Sequence, residues 1–225
     1  GNPETGRSLL RFAHSFTKNH SENSELTAMH LSPVTDLSSV NVEEYEQEGF
    51  LPVLEESRAL GRKVTTLFKT TANIESDIAE IANEGDYDLL LIGVGKSIYQ
   101  GTLLGKILGF TTRIFHFNNL LPRFSATDNL QTDSALDSRT SSIVAKSNVP
   151  VGVFIDKNFA EADRIIMPVG GPDDAFLLDY AQRFIANHKS QVIILELSQQ
   201  LKSNHPFRER IRQMAQIAPN HISIS

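Results

Sequence analysis

Two short runs of apolar residues without polar alternation, at 89–95 (LLLIGVG) and 149–155 (VPVGVFI), constrain what this chain can fold into. A strand with one wet face alternates apolar and polar side chains, whereas an unbroken run suits a strand covered on both faces. Helical periodicity surrounds both runs. Residues 3–18 place Leu9, Leu10, Ala13, Phe16 and Thr17 on one stripe at spacings of three and four. Residues 42–60 place Val42, Tyr45, Val53, Leu54 and Ser57 near one face, with Gly61 as a stop. Asn73 suits the cap of a third helix carrying Ile74, Ile78, Ile81 and Ala82, which Gly85 ends. Strands are expected at 26–31, closed by Ser32 and Pro33, at 63–68 and at 87–94. Strands separated by helices must pair in parallel, so the expected class is α/β with an open, doubly wound parallel sheet. Its binding edge lies at the carboxyl ends of the strands.

The pattern changes after Ser97. Residues 98–117 are more apolar than a loop needs, and 125–142 are almost all Ser, Thr, Asp, Asn and Gln, a linker by composition. Regular structure is expected again from 141 to 147 and in a strand at 151–155. A strand at 164–169, a helix at 173–188, a strand at 191–197, a helix at 207–217 and a strand at 221–225 follow.

The second half restarts the first. PETGRSLLRFAHSF at 3–16 lines up with PDDAFLLDYAQRF at 172–184, matching Phe12 and Ala13 to Tyr180 and Ala181, and Phe16 to Phe184. This gives a first unit over 1–156, with an insert at about 98–140, and the start of a second similar unit over 157–225. The second unit has a strand at 164–169 directly before its first helix, and the first unit has none. The expectation is therefore a piece of a longer protein, whose first sheet is short of a middle strand. A swapped strand from another copy, or the strand at 164–169, would fill that place.

Function classes narrow by elimination. The net charge of −6 argues against a basic face for nucleic acid. Without cysteine there is no disulfide scaffold, thiolate nucleophile or thiolate zinc site. The longest apolar runs are far short of the roughly 20 residues of a membrane-spanning helix, so the fragment reads as soluble and cytosolic. The seven histidines form no H-E-x-x-H or other tight metal spacing, and no G-x-S-x-G elbow is present. Asp77, Asp173 and Asp174 suit helix N-termini, and the glutamates from 43 to 48 suit a solvated helix face. No catalytic and no metal-binding residue is expected.

Gly95-Lys96-Ser97 has the ending of a phosphate-binding P-loop, but the position of its first glycine is Leu90. A dinucleotide fingerprint fails as well, since Ile98 stands where its third glycine should be. The strand ending LIGVG, a variable piece, and then SSIVAKSNVPVGVFI at 141–155 resemble a universal stress protein domain. That resemblance implies tandem Rossmann-like units and places any nucleotide at Gly93, Gly95, Lys96 and Ser97. Members of that family that hold ATP carry G-x-x-G, about nine residues, then G-[ST]. Here Lys96 replaces the second glycine, and no glycine stands at the helix start near 138–142.

The insert sharpens the resemblance. GTLLGKILGFTTRI at 101–114, directly after the fourth strand of such a domain, is similar to the cytosolic tail of bacterial monovalent cation:proton antiporters. This implies a non-enzymatic regulatory domain on the cytoplasmic side of the membrane. Its partner would be the membrane transporter portion of the same polypeptide, with no resident cofactor. The apolar insert with Lys96, Lys106 and Arg113 also suits an interface between the halves or between subunits of a homodimer. Two alternatives stand beside this one: a free-standing stress protein that binds ATP or another adenine nucleotide, and a weak ATPase.

Overall fold

Helices and strands alternate along the chain as the apolar periodicities require. The computed structural model describes residues 3–17, 24–37, 41–94, 137–198 and 205–225. The elements of the first half are α1 (Pro3–Thr17), β1 (Thr27–Pro33), a 3-10 turn (Val34–Leu37), α2 (Val42–Ala59), β2 (Thr65–Thr71), α3 (Ile74–Glu84), β3 (Leu90–Val94), α4 (Ser138–Lys146) and β4 (Val151–Ile155). Those of the second are β5 (Arg164–Val169), a 3-10 turn (Pro172–Phe176), α5 (Leu177–His188), β6 (Gln191–Glu196), α6 (His205–Ile217) and β7 (Ile222–Ile224). The apolar part of the insert, 98–136, lies outside the described residues.

Several boundaries move, each for a local reason. β1 continues through Ser32 and Pro33, because Pro33 occupies the last rung, opposite Thr71, where a missing N–H interrupts no further pairing. β2 is correspondingly displaced toward the C-terminus. β3 begins at Leu90, not at 87, where the Leu90 N–H donates to the Pro150 carbonyl at 2.9 Å and opens the ladder with β4. α4 begins three residues early, at Ser138, because Asp137 caps it.

The helix ends follow from their residues. Asn73 caps α3 through its side-chain oxygen, which accepts from the Ser76 N–H at 3.1 Å. At the end of α2, Gly61 takes the left-handed conformation with φ +60°. The Gly61 N–H bonds Arg58 O at 3.1 Å and the Arg62 N–H bonds Ser57 O at 2.9 Å, the paired closure of a Schellman motif.

Packing divides the described residues into two units, with the change falling between residues 159 and 160. The last turn of α1, from His14 onward, groups with the second unit.

In the first unit, β1 pairs in parallel with β2 and β3 with β4, as two separate ribbons among the described residues. α1 and α2 are joined by Arg11 and Glu56, whose fork-to-fork hydrogen bonds measure 2.7 and 2.8 Å. α3 and α4 are joined by Asn83, which donates to the Lys146 carbonyl at 2.9 Å, and by Lys146, which donates to the Ser76 hydroxyl at 2.8 Å. Leu10, Phe50, Ala79, Ala82, Val94 and Ile143 are buried between these elements. The face of α2 matches expectation in part: Ser57 is buried as expected, Phe50 and Glu56 are buried beside it, and Val42 is exposed.

In the second unit, β5, β6 and β7 form one parallel sheet in that order. Its core joins Val169, Val192 and Ile194 of the strands to Leu178 and Ala181 of α5 and to Phe207 and Ile211 of α6. Phe16 packs edge to face on Phe184, with ring centroids 4.8 Å apart. The expected strand at 164–169 pairs in parallel with β6 in the second sheet.

Candidate functional site

Of the residues that sequence places at a nucleotide turn, Gly93 is described and Gly95, Lys96 and Ser97 lie outside the described residues. Gly93 is the penultimate residue of β3, in register with Phe154 of β4. A β-carbon at Gly93 would stand 2.9 Å from Thr5 Cγ2 and 3.6 Å from Leu9 Cδ2 of α1. The glycine thus lets the start of α1 lie close over the carboxyl end of β3. That packing role accounts for Gly93 without any ligand.

The second half of such a site would be the start of α4, where free backbone N–H groups attract anions. Here Asp137 occupies them. Its Oδ1 accepts from the Arg139 N–H at 3.0 Å and the Thr140 N–H at 3.1 Å, and its Oδ2 accepts from the Thr140 hydroxyl at 2.6 Å. Burial works to raise the Asp137 pKa, but the hydrogen bonds from Thr140 and Arg139 outweigh it and hold the carboxyl below its ordinary value. The helix start is already charged, and a phosphate would have to displace this carboxylate. Sequence reading took 125–142 for linker and missed Asp137. The signal was Asp-Ser-Arg-Thr, an acceptor residue three positions before a hydroxyl residue ahead of an apolar stretch.

A different turn, in the second unit, is also filled by a carboxylate of the chain. After β5, the Gly170 and Gly171 N–H groups converge on Asp174 Oδ2, at 2.7 and 3.1 Å. Two neighbouring backbone N–H groups of this kind form an anion-binding concavity, and a carboxylate of the chain itself fills it.

His30, midway along β1, sits among rings: Tyr45 at 5.7 Å, Phe50 at 5.9 Å and Phe68 at 5.7 Å between centroids. Partial burial pushes its pKa below the ordinary histidine value, which favours the neutral ring. Among the described residues, no three His, Asp or Glu side chains stand together as a metal site. No helix among them is long and apolar enough to cross a membrane.

One cavity of about 640 Å³ lies within the first unit. It runs along residues 26–31 of β1 and its approach and 89–94 of β3 and its approach, and Asp137, Arg139 and Thr140 reach its lining.

No protein-family model matches this chain, and no curated protein matches it. Among solved structures, a universal stress protein from Archaeoglobus fulgidus DSM 4304 is similar in fold, with a TM-score of 0.56 and 15% sequence identity, covering 100% of this chain and 74% of that one. Together with the parallel α/β architecture, this likeness shows a universal-stress-protein-like, Rossmann-like fold.

Proposed function

We propose that this chain is a regulatory domain of universal-stress-protein type, without catalytic activity, that works as the cytoplasmic part of a monovalent cation:proton antiporter. The observation that carries the non-enzymatic reading is Asp137. Where the family resemblance would place nucleotide phosphates at a free helix start, this chain fills that start with its own carboxylate. The antiporter attachment rests on GTLLGKILGFTTRI at 101–114 following β3, and on the tandem repeat. Regulation then means coupling between the packing of these units and the transporter, which requires two states that a partner or ligand distinguishes.

Isothermal titration with ATP and Mg²⁺ tests the first half of this reading. The expected result is no saturable heat and no phosphate release. Asp137→Gly would place a glycine before Ser138 and free the N–H groups of Arg139 and Thr140, so this variant should gain affinity for ATP if the carboxylate is what excludes it. Micromolar binding by the unaltered chain would favour the second reading, a free-standing nucleotide-binding stress protein. The fold likeness and the place of Gly93 at the binding edge support that second reading. Turnover would instead make it an ATPase. The coding sequence upstream tests the attachment, which fails if no membrane helices precede this segment.

A further inference from the structure

We draw no further inference here: the strongest candidate, the apolar face of the second sheet where Ile166 and Pro168 of β5 stand exposed beside Ile193 and Leu195 of β6, carries nothing, because nothing among the described residues shows what covers it.

Discussion

Asp137 and Thr140 bond each other twice at the start of α4: the carboxylate accepts from the Thr140 N–H at 3.1 Å and from its hydroxyl at 2.6 Å. Because these bonds favour the ionised form, they link the stability of the helix to pH. A carboxyl held below its unfolded value of about 3.9 contributes stability above that value, and the contribution is lost as pH falls through the folded pKa. Asp137→Ala should lower stability by about 1 kcal/mol at pH 7, the usual loss for an N-cap. In a chain of this size that is a drop in melting temperature of about 2–4 °C. The difference from the unaltered chain should shrink toward pH 3. Melting curves at pH 7 and pH 3 check both the size and the sign. A difference that does not change with pH would mean that the carboxylate charge contributes nothing to the cap.

Gly93 separates a packing glycine from a ligand-binding one. Gly93→Ala should destabilise by about 1–3 kcal/mol, since the new methyl meets Thr5 Cγ2 at 2.9 Å. Thr5→Ser removes that methyl. The double variant should recover much of the loss, with a coupling of about 1 kcal/mol in a double-mutant cycle. If Gly93→Ala leaves the melting temperature untouched, α1 does not pack there, and the glycine is free to serve a ligand.

The contiguous apolar strands were legible from sequence to the residue: 151–155 and 164–169 coincide with β4 and β5. An unbroken β-rich run has few other places to go in such a fold. The site was less legible. Asp137 belongs to the residue types that fill linkers as readily as helix caps, and only the hydrogen bonds to Arg139 and Thr140 tell the two apart. Gly93 was visible as a glycine at a strand end, but its reason, the approach of Thr5, spans 88 residues of sequence. Glu56 escaped for another cause. A glutamate reads as surface, and its burial follows from the guanidinium of Arg11 on a different helix.

The Arg11–Glu56 pair should behave as a buried pair on one side only. The Glu56 side chain is 9% exposed and that of Arg11 is 34% exposed. The hydrogen bond with Glu56 raises the Arg11 pKa, so the guanidinium stays charged through the neutral range. Arg11→Met leaves a nearly buried carboxylate without its fork, and a loss of about 1–3 kcal/mol is expected, less than the full figure for a deeply buried pair because Arg11 is partly solvated. Combining Arg11→Met with Glu56→Leu should restore most of it, since no uncompensated charge remains. Urea titrations of the three variants give these differences, and a double variant no better than the single would show that the pair's geometry carries the contact between α1 and α2.

His30 sets a second pH window, above that of Asp137. Burial among Tyr45, Phe50 and Phe68 lowers its pKa, so the folded state prefers the neutral ring. The unfolded chain then binds the extra proton first, near the ordinary value of about 6.5, and stability falls as pH drops below it. The fall ends once the folded pKa has been passed. The ring is only partly buried, so less than about 1 kcal/mol is expected between pH 7 and pH 5.5, a shift of a few degrees in melting temperature. His30→Leu removes the titrating ring and should flatten this part of the profile while leaving the acid loss below pH 5 in place. Because Gly49 stands against the His30 ring, where a β-carbon would come within 2.5 Å of Nδ1, Gly49→Ala should displace the ring and reduce the same pH response. A profile from pH 7 to pH 5.5 that is identical in the original chain and His30→Leu would contradict a neutral, partly buried His30.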